Sequence, residues 1–283
     1  MSLEIDRVTK RYGTTLALDG IQFTVPRGQI FGFLGANGAG KTTTMRICLG
    51  ILRADAGEIR WDGTPTADLP RRTFGYLPEE RGLYPRITVL EQLVYFGSLY
   101  GEDPDRARGE ARHWLARFGI PELANRRAEE LSKGNQQKVQ FIAAILHDPD
   151  VLLMDEPFTG LDPMNLGLLR EAFIELRERG RTIVFSTHQM ELAESLCESV
   201  AIIDRGRLVA GGGVRALKRA AGRRMVRLAL DNEAAADWLA SLPGVIVIRS
   251  GLDHSDVELT NGMEPQALLA QALARGAQVT RFV

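Results

Sequence analysis

The sequence predicts an α/β domain built on a parallel β-sheet, followed by a small α+β domain. Three observations support this prediction. A glycine-rich turn, "GANGAGKTT", stands between an apolar strand and a helix. From about residue 150, short apolar strands alternate with amphipathic helices, as in βαβ units on a parallel sheet. Beyond residue 222 the order changes to β-α-β-β-α-β.

Composition sets only broad limits on function. The 283 residues carry a net charge of −1, with 45% hydrophobic and 25% charged residues, which is ordinary for a globular protein and does not favour a nucleic-acid partner. Cys48 and Cys197 lack the spacing of a disulfide framework or a zinc site. The cysteine content is therefore consistent with a protein of a reducing compartment. We expect no secretory segment, and no apolar stretch approaches the ~18 residues of a membrane span.

The first part of the chain is predicted to run from strands into a mainly helical region. Residues 1–34 alternate apolar and polar side chains and are expected to form strands. A helix is expected over "KTTTMRICLGIL", with further short strands at "GEIRWDG" and "RTFGYLP". Residues 88–147 are predicted to be mainly helical, and Thr88 and Glu91 form a candidate capping box.

The rest of the chain is predicted to hold the parallel sheet and the second domain. "DVLLMDEP" and "RTIVFSTH" are typical of buried strands, "LGLLREAFIELRERG" and "QMELAESLC" of helices, and "SVAIIDRGRLVAGG" of a hairpin. Gly211–Gly213 is expected to be a flexible break. We therefore place the domains at residues 1–221 and 222–283. The second has the ferredoxin-like order, with helices at "EAAADWLASLP" and "EPQALLAQALARG".

The turn "GANGAGKTT" matches G-x-x-x-x-G-K-[ST] in the strand–turn–helix context of a phosphate-binding loop. Its glycines let backbone N–H groups turn towards phosphate oxygens, and the helix N-terminus adds positive potential. We expect Lys41 to reach the β- and γ-phosphates of ATP and Thr42 to ligate Mg²⁺. A plain glycine turn with an exposed lysine is the simpler alternative. The predicted ATP-binding residues of the loop are Gly35, Asn37, Gly38, Gly40, Lys41, Thr42 and Thr43.

The stretch "VLLMDEP" is an apolar strand that ends in two carboxylates. Asp155 is placed to hold Mg²⁺. Glu156 comes next, and because side chains alternate along a strand it can point instead at the water that attacks the γ-phosphate, as general base. Alone, Asp-Glu-Pro is a common strand exit. Together with the phosphate-binding loop it indicates ATP hydrolysis.

Residues 131–139, "LSKGNQQKV", indicate what the nucleotide is used for. With the phosphate-binding loop, "LLMDEP", "GLDP" and "STH" in this order, they resemble the ATP-binding-cassette (ABC) ATPases over roughly residues 3–215. The resemblance implies a P-loop NTPase cassette: a RecA-like core with antiparallel β and helical subdomains. In this family the signature of one subunit caps ATP held by the other. Ser132 and Gly134 are therefore expected to contact ATP bound to a second copy of the chain, although Ser132 is also a plain helix N-cap.

Three further positions match the family's motifs. Tyr12 in "KRYG" matches the aromatic residue that stacks on adenine. Asp162 in "GLDP" matches the loop that crosses the dimer interface, and His188 in "STH" matches the switch histidine at the γ-phosphate. Taken singly, they are more simply a surface tyrosine, a turn before proline and a structural histidine. The resemblance implies that His188 joins Lys41 and Glu156 as a catalytic residue.

The chain departs from the family's usual pattern in two places. Lys133 and Asn135 stand where the signature usually has glycine and glutamine. Glu79, followed by Glu80, stands where the family usually has a glutamine that touches Mg²⁺ and water. A carboxylate can still accept a hydrogen bond from metal-bound water, but it adds negative charge beside ATP.

Finer features indicate a class within the family. "LPEERGLYP", "LSKGNQQKVQF" and the additional C-terminal domain look most like the sodium-exporter type of ATPase subunit, which serves ABC-2 exporters. This resemblance implies an ATPase that drives export through a separate membrane permease, contacted around residues 80–130. The expected location is cytoplasmic, peripheral on the inner face of the cell membrane. ATP and Mg²⁺ are the expected cofactors.

Two other functions stay open at this point. A soluble ABC ATPase acting on nucleic acid or ribosomes usually carries two cassettes or a long coiled-coil insertion, and this sequence shows neither. A nucleotide-dependent binding module with little turnover conflicts with an intact Glu156, although Glu79 leaves it open.

Overall fold

The computed structural model describes residues 2–80, 82–220, 224–230, 238–251, 254–260 and 262–282. It divides into two units, Met1–Val214 and Arg215–Val283. The division falls earlier than the predicted boundary at residue 221, so the segment before that boundary groups with the second unit.

The first unit contains ten strands and six α-helices among its described residues. Its strands are β1 (Ser2–Tyr12), β2 (Thr15–Pro26), β3 (Ile30–Leu34), β4 (Ala56–Trp61), β5 (Thr64–Pro65), β6 (Phe74–Leu77), β7 (Val151–Met154), β8 (Thr182–Thr187), β9 (Ser199–Asp204) and β10 (Arg207–Gly213). Its helices are α1 (Lys41–Cys48), α2 (Val89–Leu99), α3 (Pro104–Arg117), α4 (Lys133–Ile145), α5 (Pro163–Glu178) and α6 (Met190–Leu196).

A six-stranded sheet of order β10-β9-β3-β8-β7-β6 forms the centre of this unit. All its neighbouring pairs are parallel except the β9–β10 hairpin. The strands β3, β7 and β8 are buried along their whole length, which is typical of a parallel sheet covered on both faces. Because β8 lies between β3 and β7, the segments that follow these three strands meet at one edge of the sheet.

A second, antiparallel sheet of order β2-β1-β4-β5 shares a hydrophobic core with the central one. Phe23 of β2, for example, stacks on Phe31 of β3 with ring centroids 5.6 Å apart. The helices α2, α3 and α4 contact one another. A mixed α/β cassette with antiparallel and helical parts is therefore confirmed, and none of the described helices is long and apolar enough to cross a membrane.

Local signals in the sequence place some helix ends correctly and misplace others. The Thr88–Glu91 capping box is confirmed at the start of α2. The predicted extension of α1 to Leu52 is wrong, because Gly50 takes a left-handed conformation (φ 66°) that ends the helix. The predicted start of α5 at "LGLL" is also wrong, because Asp162 caps the helix at Pro163.

Gly211–Gly213 is not a break. These residues complete β10, where Gly211 pairs with Ala201 and Gly213 with Ser199 of β9. Ladder hydrogen bonds come from the backbone, so a run of glycines can be a strand when a partner strand is present.

The second unit has the predicted ferredoxin-like topology in its sheet. After α7 (Val214–Ala220), which begins at the boundary, its elements are β11 (Arg224–Leu230), β12 (Val245–Ser250), β13 (Ser255–Leu259), α8 (Pro265–Ala274) and β14 (Val279–Phe282). The sheet is antiparallel with order β12-β13-β11-β14. The first five residues of the helix predicted at "EAAADWLASLP", 233–237, lie outside the described residues, and its described part contains a 3₁₀ turn at Leu239–Ser241.

We expect the stability of the first unit to fall as the pH drops below about 6.5, through His147. This side chain is buried, its Nε2 lies 3.0 Å from the Phe74 carbonyl oxygen, and its Nδ1 has no hydrogen-bond partner. Burial lowers the pKa of His147 from the ordinary 6.5. In that pH window the unfolded chain therefore binds more protons than the folded one, and stability is lost as the pH falls.

Urea unfolding at several pH values tests this expectation. His147→Gln, which can keep a donor near the Nε2 position, should remove part of the loss on acidification. His113→Gln, at an exposed histidine, should keep the wild-type pH profile. Identical profiles for His147→Gln and the wild type would contradict the assignment.

Candidate active site

The loop between β3 and α1 forms one wall of a cavity of about 250 Å³. Its lining residues are Ala17, Asn37, Gly38, Gly40, Lys41, Thr42, Thr43, Glu79, Asp155 and Glu156. All of them except Ala17 are candidates from the sequence. The fold thus brings the predicted phosphate-binding loop and both predicted carboxylates into one site.

Two glycines of the loop cannot carry a side chain. Gly40 has φ 112°, and a Cβ there would lie 2.5 Å from Leu18 Cδ2 and 2.9 Å from the Ala17 carbonyl oxygen. At Gly35 a Cβ would collide with the carbonyl oxygen of Ile203. Gly35 is not among the residues that line the cavity, and its lack of a side chain allows the loop to turn closely over the end of β9.

Lys41 places a buried positive charge inside the loop. Only 6% of its surface is exposed, and its ammonium group donates to the carbonyl oxygens of Gly35 at 2.7 Å and Ala36 at 3.2 Å. The same Nζ lies 3.7 Å from Glu156 Oε1. A cation fixed beside backbone N–H groups at a helix N-terminus is suited to bind phosphate oxygens.

Asp155 is fixed by two hydroxyl groups. Thr42 Oγ1 donates to its Oδ2 at 2.5 Å, and Ser186 Oγ donates to its Oδ1 at 2.5 Å. The Ser186 hydroxyl also accepts the Glu156 N–H at 2.8 Å. Sequence reasoning missed Ser186, although it belongs to "STH" and stands two residues before His188.

The Thr42–Asp155 pair fits Mg²⁺. A hydroxyl and a carboxylate oxygen are the hard donors that this ion prefers, and it is commonly bound by one or two carboxylates together with substrate phosphates. Among the described residues there is no cluster of three or more His, Cys, Asp or Glu side chains that could hold a metal ion. A set of one hydroxyl and one carboxylate fits an ion that is bound together with a nucleotide.

Glu156 is held in a backbone conformation that glutamate does not favour. Its φ of 49° lies in the left-handed region, where a residue with a side chain is strained. The buried carboxylate accepts from Thr159 Oγ1 at 3.1 Å and lies 3.1 Å from His188 Nδ1. The two neighbouring carboxylates thus have different partners, and sequence reasoning missed Thr159 as one of them.

The remaining candidates lie outside this cavity. Tyr12 at the end of β1 is 47% exposed, and the Lys10 ammonium lies 5.8 Å from its ring centroid. Ser132 caps α4 and accepts the Asn135 N–H at 3.3 Å. Ser132 and Gly134 do not line the cavity of Lys41 within one chain.

The start of α4 packs beside the start of α5. A Cβ on Gly134 would lie 3.3 Å from Asn165 Nδ2. Asp162 caps α5 by accepting the Asn165 N–H at 2.9 Å, and this hydrogen bonding lowers the pKa of Asp162. The two predicted interface segments, "LSKG" and "GLDP", are therefore neighbours on the surface of the chain.

Comparison with known proteins agrees with these features. A family model described as "ABC transporter" matches residues 18–159, and one described as "ATP-binding protein DrrA1-3-like, C-terminal domain" matches residues 212–283. The "Uncharacterized ABC transporter ATP-binding protein YhaQ" of Bacillus subtilis is 44% identical over 97% of this chain and 91% of its own length.

Two further similarities cover about three quarters of the chain. The "Nod factor export ATP-binding protein I" of Paraburkholderia xenovorans is 42% identical over 76% of this chain and 72% of its own length. A solved "ATP binding subunit of ABC transporter" superposes with a TM-score of 0.73, at 33% identity, over 78% of this chain and 94% of that one.

Proposed function

Since this chain belongs to the ABC transporter ATP-binding family, whose members are ATPases that drive transport, we propose that it is the ATP-hydrolysing subunit of an exporter. It works as a homodimer that encloses two ATP molecules and acts on a separate membrane permease. The observation that carries the proposal is the single cavity that joins Lys41, the Thr42–Asp155 pair and Glu156.

The geometry supports an in-line hydrolysis of the γ-phosphate. Lys41 and the N–H groups of the loop bind the phosphate oxygens. Thr42 and Asp155 would hold Mg²⁺, which would supply neutralisation of phosphate charge. Glu156 accepts a proton from water as the water oxygen bonds to the γ-phosphorus, and the β–γ bridging oxygen leaves with ADP. His188 and Thr159 keep the Glu156 carboxylate oriented.

The second copy supplies the other half of each site. Ser132 and Gly134 lie at the N-terminus of the 13-residue helix α4, where free N–H groups attract anions. Because they do not line the cavity of their own chain, they are free to cap the γ-phosphate in the partner. Asp162 lies beside them on the same surface, and Tyr12 would stack on the adenine of its own nucleotide.

We assign the permease contact to a groove that lies only partly in the region predicted for it, residues 80–130. This groove, of about 180 Å³, is lined by Tyr76, Pro78, Gly82, Leu83, Phe96, Tyr100, Gln140, Ala143 and Ala144. Beside it, Tyr84, Tyr95 and Leu99 expose apolar surface. A cytoplasmic segment of the permease would bury this surface and hold the ATPase on the inner face of the membrane.

Export is supported by the name of one relative. One relative is named for Nod factor export, and the second unit matches the DrrA1-3-like C-terminal domain. The sodium-exporter type stays a prediction, and we propose that residues 222–283 form an accessory module outside the catalytic site.

Purification of the tagged chain from native membranes tests the transport assignment. We expect an integral membrane chain to co-purify in stoichiometric amount and to be lost when Tyr95 and Leu99 are both replaced by aspartate. Recovery of ribosomes or nucleic acid without a membrane chain would favour the alternative, a soluble ABC ATPase.

We expect Glu79 to affect the Mg²⁺ dependence of ATP hydrolysis but not to act as a catalytic residue. Its side chain lines the cavity with Thr42 and Asp155. Glu79→Gln removes one negative charge and should keep turnover while raising the Mg²⁺ concentration needed for half-maximal activity by about two- to tenfold, the effect of one hydrogen bond. Glu80→Gln is the matched control, because Glu80 does not line the cavity. Equal Mg²⁺ dependence in both variants would make Glu79 a surface residue.

A further inference from the structure

Two glutamines of α4 bind the segments that carry the two functional glutamates. Gln137 Nε2 donates to the carbonyl oxygen of Pro157 at 3.1 Å, and Gln140 Nε2 donates to the carbonyl oxygen of Glu80 at 3.2 Å. Three residues apart on a helix, the two side chains lie on one side of α4. Gln140 is buried, at 5% exposure.

Each acceptor is the carbonyl oxygen of the residue that follows a glutamate of the cavity. Pro157 follows Glu156, and Glu80 follows Glu79. A displacement of either carbonyl therefore moves the neighbouring carboxylate. Neither position is fixed by regular structure, because both segments lie beyond the ends of their strands, β7 and β6.

The helix that bears the glutamines is anchored in the core. Val139, Phe141 and Ile142 of α4 are fully buried, so we expect the helix to behave as a rigid unit. Its N-terminus carries Ser132 and Gly134, which face ATP held by the partner in the proposed dimer. One helix thus joins the partner's nucleotide to both carboxylate-bearing segments of its own site.

We propose that Gln137 and Gln140 are positioning residues that align Glu156 and Glu79 when α4 caps the partner's ATP. The inference rests on the proposed function. The general base of each copy is thus aligned through a helix that the other copy's nucleotide engages. Neither glutamine touches the reacting atoms.

The test separates turnover from binding. Gln137→Met and Gln140→Met keep the side-chain length and remove the donor. Each should lower kcat about two- to tenfold, the effect of one hydrogen bond, with KM for ATP unchanged within about twofold. In the Glu156→Gln background, both should still dimerise with ATP and Mg²⁺, as measured by light scattering.

Gln92→Met is the matched control. Gln92 is a buried glutamine of α2 that donates to the carbonyl oxygens of Ile87 and Thr88, and neither of these neighbours a residue that lines the cavity. It should keep the wild-type kcat even if its melting temperature falls as much as that of the other two variants.

Unchanged kcat in Gln137→Met and Gln140→Met, or an equal loss in Gln92→Met, would overturn the inference while leaving the proposed function intact. A wild-type chain that neither hydrolyses ATP nor dimerises with it would overturn both.

Discussion

Replacing Glu156 by glutamine is expected to lower ATP turnover by about 10²- to 10⁴-fold, the usual contribution of a general base. The amide has the size of the carboxylate but cannot take a proton from water. Thr42 and Asp155 remain in place, so ATP and Mg²⁺ should still bind. Phosphate release under saturating ATP measures turnover, and binding of a fluorescent ATP analogue measures affinity.

A surface glutamate provides the control for this change. Glu178 lies at the end of α5 with an exposed side chain, outside the cavity, and Glu178→Gln should leave turnover at the wild-type level. Wild-type turnover in Glu156→Gln would show that another group activates the water.

Removing the Lys41 ammonium should weaken ATP binding by about 10- to 100-fold. A hydrogen bond to a charged group contributes about 1.5–3 kcal/mol, and about 1.4 kcal/mol corresponds to a tenfold change in affinity. In Lys41→Ala the loop keeps its glycines and the helix N-terminus but loses the buried cation. Calorimetric titration with ATP and Mg²⁺ measures the loss.

The fold of Lys41→Ala must be checked by its circular dichroism and melting curve. Lys41→Arg serves as a second variant, because it keeps the charge but not the compact ammonium that fits between the Gly35 and Ala36 carbonyls. A folded Lys41→Ala protein with wild-type affinity would refute the assignment of the phosphate-binding loop.

The sequence predicts the central sheet and most of the cavity because both depend on local patterns. The strand–turn–helix context around Lys41 and the apolar strand before Asp155 are readable within short windows. The topology then requires these segments to meet, since the ends of neighbouring parallel strands share one edge of the sheet. The catalytic roles of the lining residues stay predictions.

What sequence reasoning missed depends on contacts between distant segments. Ser186 reaches Asp155 only because β7 and β8 pair in a register that sets Met154 beside Phe185. The left-handed conformation of Glu156 has no local signal, since glutamate does not favour it. Side-chain alternation along a strand would not by itself have placed its carboxylate beside Lys41.

Errors at element ends have a similar cause. Gly211–Gly213 has the composition of a loop, yet β9 provides a partner for its backbone groups. Secondary-structure propensity describes a segment in isolation. Hydrogen bonding to a neighbouring strand can outweigh it.

The central claim, an ATP-hydrolysing dimer that encloses its nucleotides, is tested most directly by the mass of Glu156→Gln in solution. Size-exclusion chromatography with light scattering should show a monomer with ADP and a dimer with ATP and Mg²⁺. Adding Ser132→Asp, which preserves the helix N-cap but places a negative charge at the γ-phosphate, should return the ATP-bound protein to a monomer. A Glu156→Gln protein that binds ATP and stays monomeric at every protein concentration would contradict the claim.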